Sequence, residues 1–164
     1  MSEAAPSWSR VTQSAEETIQ AGRELGARLT APVVVMIHGE LGAGKTTFCK
    51  GVIGRLGAAR EEDVTSPTFT LVHEFRGAFP SRSLGTNGAA RMRKVYHVDL
   101  YRVSNVHDLE TLGLDDILSE SAVILVEWPE RLTLRTDWPI VHVRLEFLEG
   151  DKRRIELTGA PAAM

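Results

Sequence analysis

The sequence predicts an α/β fold with a mainly parallel central sheet and antiparallel additions. Segments 31–37 and 122–126 are almost continuously apolar, as strands are when helices cover both faces of a sheet. Helical patterns alternate with these strands, which favours parallel strands joined by crossover helices. Residues 140–147 instead alternate between apolar and polar. Residues 153–157 can return against them across a short turn, and this pattern predicts an antiparallel pair.

The composition is typical of a globular protein with one domain. The chain has 164 residues, a mass of 18.0 kDa, a net charge of −3 and a pI near 6.0. That charge excludes a protein that grips nucleic acid through a broad basic face of its own. The single cysteine, Cys49, excludes an internal disulfide. Because the chain also has no long apolar run and no basic or apolar leader, we expect a cytoplasmic protein.

Composition also suggests the domain boundaries. Residues 1–12 are small and polar, and we expect a loose tail there, ahead of a single domain over 13–159. Within that domain, residues 76–94 carry four arginines and one lysine but no acidic residue, together with Gly, Pro, Ser and Asn. This composition predicts an exposed loop. The loop could be a flexible insertion or a basic arm toward RNA or a partner, and the pattern leaves both open.

Local signals predict three helices and one long hairpin. Ser14 and Glu17 form a capping box at the start of the first helix, and Gly57 stops the second. The third helix is broken near Gly113. The predicted helices span 14–29, 46–56 and 106–118, and the predicted hairpin strands span 69–75 and 95–100.

A glycine-rich motif links the first apolar strand to the second helix. Residues 39–46, GELGAGKT, match the pattern G-x-x-x-x-G-K-[ST]. Backbone N–H groups of such a loop wrap a phosphate, and the helix that follows directs its positive dipole end at the anion. Lys45 would add a mobile charge, and the hydroxyl of Thr46 would bind Mg²⁺, which prefers oxygen ligands. The motif therefore predicts a nucleotide phosphate site.

Acidic residues follow two of the predicted strands. Asp99 directly follows the segment 95–98. Glu127 directly follows the segment 122–126, in which every residue is apolar. Ligands of open α/β sheets bind at the carboxyl ends of the strands, so either carboxylate could bind the metal or orient a water molecule. Either could also be a plain surface acid at a strand end. The hydroxyls at 65 and 66 could sense a γ-phosphate or belong to an ordinary polar loop.

These motifs, taken in order, resemble the TsaE family, the small bacterial P-loop ATPases of threonylcarbamoyladenosine biosynthesis in tRNA. The likeness covers roughly residues 14–147, and the loop at 76–94 is longer than the connection usual in that family. The segments that carry it are HGELGAGKTTF (38–48), TSPTFTLV (65–72), VYHVDLYR (95–102), LGL (112–114) and VEWPE (126–130).

The resemblance implies a three-layer P-loop fold and a Mg²⁺-dependent ATPase that is slow alone and works with TsaB and TsaD, which would hold the tRNA. It implies catalytic roles for Glu127, Asp99 and Lys45, and metal ligation by Thr46 and Glu127. The nucleotide contacts that it implies are Glu40, Leu41, Gly42, Ala43, Gly44, Lys45, Thr46, Thr47, Trp128 and Thr18.

Two other functions fit the phosphate motif. A kinase for a nucleotide or a small metabolite would need an acceptor pocket and a lid, for which 76–94 is the only candidate segment. A binding module could use ATP only as a conformational switch. Cys49 is interpreted as a buried, inert thiol, because the sequence gives it no basic partner beyond the loop.

Overall fold

A seven-stranded sheet forms the centre of the protein. The computed structural model describes residues 7–67, 71–81, 90–104 and 113–159. The strands follow the order β1-β7-β6-β2-β5-β4-β3 across the sheet. They are Trp8–Thr12 (β1), Val33–His38 (β2), Val72–Phe79 (β3), Arg91–Asp99 (β4), Val123–Glu127 (β5), Ile140–Phe147 (β6) and Arg153–Thr158 (β7).

The four middle strands are parallel, and antiparallel strands flank them on both sides. β2 lies between β6 and β5, and β5 pairs in turn with β4. β3 is antiparallel to β4 at one edge, while β7 and β1 extend the other edge. Every residue of β5 is buried, and so is every residue of β2 except His38. The predicted α/β fold is confirmed, including the antiparallel pair β6–β7.

The first helix ends earlier than the sequence predicts, and the second has the predicted length but begins one residue earlier. Ser14 caps the first helix, because its Oγ accepts from the N–H of Glu17 at 3.1 Å, and Glu17 in turn accepts from the N–H of Gln13 at 2.8 Å. The helices are Ala15–Gly26 (α1), Lys45–Arg55 (α2) and Leu114–Ile117 (α3), with 3-10 turns at Glu61–Asp63 and Pro129–Arg131. The part of the predicted third helix at 106–112 lies outside the described residues.

Glycines allow α1 and α2 to cross in direct backbone contact. A Cβ atom at Gly22 would overlap the carbonyl oxygen of Phe48, and one at Gly51 would overlap the carbonyl oxygen of Ile19. The pair therefore packs more closely than ordinary side chains permit. This crossing fixes the position of α2, and so of the residues at its N-terminus.

Both faces of the sheet are covered. α1 and α2 bury the face that carries Val95, Val123 and Leu125. The opposite face, with Val98 and Val126, packs against α3 and the segments that follow β4 and β5. Burial on both faces explains why the central strands read as continuous apolar runs. Within the part of the chain that the structure describes, no helix is long and apolar enough to span a membrane.

The predicted loose tail is wrong for residues 8–12. These residues form β1, which pairs with β7 from Trp8–Leu157 to Thr12–Arg153. Their burial alternates and ends at the buried Thr12. The partner of β1 lies about 145 residues further along the chain, so the sequence of β1 itself gives little indication of a strand. The open edge of β7 supplies the hydrogen bonds of β1.

The predicted loop at 76–94 is wrong at both of its ends. β3 continues to Phe79 and β4 begins at Arg91, so the register runs from Val72–Val98 to Phe79–Arg91. The hairpin itself is confirmed, but it is longer than predicted. Arginine and lysine side chains fit this edge because one side of each strand faces water, and Lys94 lies 3.3 Å from both Glu74 and Glu120. Residues 82–89 and 68–70 lie outside the described residues.

Candidate functional site

The carboxyl ends of β2, β4 and β5 meet at one edge of the sheet. Asp99 and Glu127 end their strands side by side in the parallel register, and Ile37 of β2 pairs with Glu127 on the other side. The glycine-rich loop leaves β2 immediately afterwards. The loop and the two strand ends enclose a pocket of about 410 Å³. This is the place where ligands of parallel α/β sheets bind.

The loop adopts a conformation that depends on glycine. Gly42 and Gly44 have φ angles of 82° and 97°, in the left-handed region that other residues rarely adopt. The N–H of Ala43 donates to the carbonyl of Glu40 at 3.0 Å and closes the turn. Gly44 then caps α2 without a side chain of its own. The first amides of α2 have no partners within the helix, so they can donate to an anion in the pocket.

Lys45 points back over the loop. Its Nζ donates to the carbonyls of Gly39 and Glu40 at 2.5 and 2.9 Å and lies 4.0 Å from the centre of the Trp128 ring. Burial lowers the pKa of Lys45 below its ordinary value, while the nearby Glu127 opposes that shift. Carbonyl dipoles and an aromatic face hold this buried cation, and it can gain a further anionic partner in the same pocket.

The carboxylate of Glu127 is held between α2 and β4. The hydroxyl of Thr46 lies 3.1 Å from both of its oxygens, and Nε2 of His97 lies 2.6 Å from Oε2. Glu127 is almost fully buried. Thr46 and Glu127, the two predicted metal ligands, are thus brought into direct contact.

Asp99 is anchored by its own neighbours. Its Oδ1 accepts from the N–H of Tyr101 at 2.9 Å, and its Oδ2 accepts from the hydroxyl of Ser66. Ser66 also lines the pocket, which brings the predicted hydroxyl loop to the strand ends. Asp99 and Glu127 therefore present two carboxylates at one site, on neighbouring strands.

Cys49 lies on α2, one helical turn after Lys45. Cys49, His97 and Glu127 each place one potential ligand atom within 4.8 Å of the other two. Burial raises the pKa of the Cys49 thiol well above its ordinary value, so the thiol stays protonated and is a poor ligand. The oxygen donors of Thr46, Glu127 and Asp99 suit Mg²⁺ better than this mixed set does. The buried position of Cys49 agrees with its interpretation as an inert thiol.

A larger cleft of about 940 Å³ adjoins the pocket of about 410 Å³, which we call the phosphate pocket after the motif that predicts it. The two spaces share Leu41, Gly42, Trp128 and Arg153. Arg153 donates to the carbonyl of Gly42 at 3.1 Å, and its guanidinium lies 4.9 Å from the centre of the Phe147 ring. The cleft thus offers aromatic and cationic surface next to a pocket lined with phosphate-binding groups.

Trp128 forms the wall between the two spaces. Its φ angle of 60° lies in the left-handed region, which costs a non-glycine residue about 1–2 kcal/mol. Its ring packs 5.0 Å from that of Tyr101 and against the Lys45 ammonium. Strained backbone of this kind concentrates at functional sites.

Most of the predicted site residues meet here. Leu41, Gly42, Gly44, Lys45, Thr46, Thr47, Asp99, Glu127 and Trp128 all line the phosphate pocket, and Glu40 lines the larger cleft. Ala43 is fully buried beneath the loop. Thr18 is buried behind Gly44, and its hydroxyl bonds to that of Thr12 at 2.8 Å, so its predicted nucleotide contact stays a prediction.

Sequence reasoning missed His97 as a site residue. It is an isolated strand histidine without metal-ligand spacing, a pattern more typical of packing. Its position two residues before Asp99 was the available signal, because alternate residues of a strand share a face.

Comparisons with known proteins cover nearly the whole chain. The family model "Threonylcarbamoyl adenosine biosynthesis protein TsaE" matches residues 12–155, which include the loop and both strand-end carboxylates. The tRNA threonylcarbamoyladenosine biosynthesis protein TsaE of Treponema pallidum is 32% identical over 145 residues, covering 88% of this chain and 96% of that protein. The protein of the same name from Mycobacterium tuberculosis is 37% identical over 146 residues, covering 85% and 79%. The crystal structure of Bacillus subtilis YdiB matches with a TM-score of 0.62 and 28% identity, covering 93% of this chain and 84% of that one.

Proposed function

This chain belongs to the TsaE family, and from that premise we propose that it binds and hydrolyses ATP with Mg²⁺ in support of the threonylcarbamoyl modification of tRNA. The observation that carries the proposal is the contact between Thr46 and Glu127, 3.1 Å apart beside Lys45 at the N-terminus of α2. A phosphate cradle alone fits many ligands. A phosphate-binding loop beside a hydroxyl and a carboxylate that contact each other fits a nucleoside triphosphate with its cation.

The cation would be held by oxygen atoms of this chain. Thr46 and Glu127 are the two proposed ligands, and Asp99, next to Glu127 in the register, is a further acid at the same edge. When bound, Mg²⁺ neutralises phosphate charge and stabilises the charge that develops as the terminal phosphate leaves. The contact of the Glu127 carboxylate with the hydroxyl of Thr46 supports this assignment, because it brings two oxygen ligands together at the N-terminus of α2.

The remaining chemistry falls to residues of the loop and the strand ends. The amides of residues 42 and 44–46 and the ammonium of Lys45 would bind the phosphates, with Lys45 leaving the carbonyls of Gly39 and Glu40. Glu127 or Asp99 would orient the attacking water molecule. Ser66, bonded to Asp99, would sense the terminal phosphate.

The nucleobase would occupy the larger cleft. That cleft is continuous with the phosphate pocket through Gly42 and Trp128, and it contains the Phe147 ring with Arg153 above it. An aromatic ring and a guanidinium both stack on planar bases. In this proposal the triphosphate would lie at the N-terminus of α2, and the base would lie against β6 and β7.

The proposed partners are TsaB and TsaD, in the cytoplasm, with tRNA held by those partners. The net charge of −3 supports this, because the chain lacks the basic excess needed to hold tRNA by itself. Leu41 lies in the glycine-rich loop and is 73% exposed, so it is an apolar side chain that a partner could cover.

The test is a modification assay with purified TsaB, TsaD, tRNA, ATP and a preformed activated threonylcarbamoyl donor, with and without this chain. We expect modified adenosine to accumulate over repeated turnovers only when the chain and Mg²⁺ are present. Phosphate release without any added acceptor would separate an ATPase from a kinase. Equal modification in the absence of the chain would contradict the proposed role.

A further inference from the structure

The imidazole of His97 is buried directly beneath the proposed nucleotide site. Its side chain is 0% exposed, and the carboxylate that it contacts is 3% exposed. The distance between Nε2 of His97 and Oε2 of Glu127 is 2.6 Å, which is the length of a strong hydrogen bond. Because β4 and β5 are neighbours in the sheet, this bond ties the ends of two adjacent strands together.

The surroundings determine which ring nitrogen carries the proton. Nδ1 of His97 is buried and has no hydrogen-bond partner among the described residues. A carboxylate accepts hydrogen bonds and does not donate them. We therefore assign a proton to Nε2, so that His97 donates to Glu127.

Two hydrogen-bond donors contact the carboxylate of Glu127, and they differ in whether they can also contact the cation. The hydroxyl of Thr46 bonds to it from α2, but the proposed function also assigns that hydroxyl to the cation. His97 bonds to it from β4 and lies too deep to reach a nucleotide. Among the described residues, the Glu127 carboxylate is the one hydrogen-bond partner of the His97 ring.

We infer that His97 is a positioning residue that holds the Glu127 carboxylate in the orientation needed for the cation and the attacking water. This rests on the function proposed for Glu127. A glutamate side chain has three rotatable bonds, and a short hydrogen bond to a rigid strand removes that freedom before the nucleotide arrives. Removing such a partner of a metal-binding carboxylate commonly lowers metal affinity or activity by about 10- to 100-fold.

The first test measures the hydrogen bond itself in the wild-type protein. Nitrogen-15 NMR of the labelled imidazoles at neutral pH distinguishes a protonated from an unprotonated ring nitrogen. We expect Nε2 of His97 to carry a proton, and we expect that proton to resonate downfield, as protons in short hydrogen bonds do. A proton on Nδ1, with Nε2 bare, would overturn the inference without any variant.

The second test compares two amide replacements. In His97→Gln the side-chain nitrogen can reach the position of Nε2, whereas the shorter side chain of His97→Asn cannot. We expect His97→Asn to lower kcat and the Mn²⁺ affinity of the ATP complex, measured by electron paramagnetic resonance, by about 10- to 100-fold. KM for ATP should hardly change, and His97→Gln should recover most of the loss. His73→Gln is the matched control, because His73 is the neighbour of His97 on β3 and lies outside the site.

The outcomes separate this inference from the proposed function. A wild-type protein that neither binds nor hydrolyses ATP would overturn both. An active wild type with unchanged Mn²⁺ affinity and kcat in His97→Asn would overturn the positioning role alone. Equal losses in the Asn and Gln variants, with circular dichroism showing both folded, would also overturn it, because packing and not the donor would then matter.

Discussion

The ammonium of Lys45 lies 4.0 Å from the centre of the Trp128 ring while donating to two carbonyls of its own loop. The lysine is therefore already inside the site, but it is turned toward the protein. A nucleotide phosphate would supply a stronger partner than the carbonyls do, because it carries a net negative charge whereas the carbonyls are dipoles. Binding should thus move the ammonium relative to the indole.

Trp128 should report nucleotide binding by fluorescence. In a Trp8→Phe/Trp138→Phe background only Trp128 emits, and we expect its emission to change on addition of ATP with Mg²⁺. Replacing Lys45 by Met in that background should alter the emission of the ligand-free protein too, because the cation over the ring is lost. An unchanged spectrum in both experiments would show that Lys45 and Trp128 are not in contact in solution.

Lys45→Ala should weaken ATP binding by about 10- to 100-fold, since hydrogen bonds to charged groups contribute about 1.5–3 kcal/mol. Titration calorimetry gives the affinity directly. Lys50→Ala is the matched control, because Lys50 lies on the same helix but does not line either of the two spaces. Equal affinity in Lys45→Ala and Lys50→Ala would contradict the phosphate assignment.

Glu127→Gln should bind ATP and hydrolyse it slowly. The amide keeps the shape of the side chain but loses its charge and one acceptor, and loss of a positioned acid or base costs about 10²- to 10⁴-fold in rate. Phosphate release and binding are measured on the same preparation, with Glu120→Gln, near the other end of β5, as the control. Undiminished turnover would transfer the role to Asp99.

Gly51→Ala should destabilise the fold by about 2 kcal/mol or more, because the added methyl group overlaps the backbone of Ile19. Gly54→Ala on the same helix is the control. There the nearest atom, 2.7 Å away, is Cγ of the Glu61 side chain and not a backbone atom. Urea unfolding should therefore show a larger loss for Gly51→Ala than for Gly54→Ala, where the helix propensity of alanine offsets part of the cost. Similar losses in both variants would argue against the close crossing of α1 and α2.

The contribution of Glu61 to the free energy of unfolding should change with pH. The guanidinium of Arg23 bonds to both oxygens of Glu61, at 2.5 and 2.7 Å, and lowers the pKa of that carboxyl below its ordinary 4.5. The folded protein thus keeps Glu61 ionised longer than the unfolded chain does. Its stabilising effect is complete above pH 4.5 and disappears as the pH falls through the lowered value.

Urea unfolding of Glu61→Gln should show a loss at pH 7 that disappears in acid. Glu62→Gln is the control, because the contact between Glu62 and Arg60 is longer, at 3.6 Å, and more exposed. A loss in Glu61→Gln that stays constant down to acid pH would show that the ion pair is not its cause.

Local sequence signals were sufficient for the phosphate loop and the strands around it. The glycines at 42 and 44 are required by left-handed backbone angles, and the apolar runs reflect burial on both sheet faces. Both are properties of a short segment, so they can be read without knowledge of the rest of the chain. The alternation at 140–147 predicted β6 for the same reason.

Elements that depend on distant partners could not be predicted as well. β1 exists because β7 offers it an open edge, and the ends of β3 and β4 extend because each completes the hydrogen bonds of the other. The charged residues there gave no alternation strong enough to distinguish a solvated strand from a loop. Helix ends shifted by a few residues, since tertiary packing and not propensity decides where the last turn frays.

By itself, the sequence determined the fold class, the phosphate loop and the two strand-end acids, because each follows from periodicity or from a contiguous motif. Only the tertiary structure decided that Thr46 and His97 both hold Glu127 and that Trp128 covers Lys45. These residues come from separate segments, and the parallel register of the sheet and the crossing of α1 and α2 bring them together. The hydrogen bonds among them depend on distances of a few ångströms that no spacing along the chain encodes.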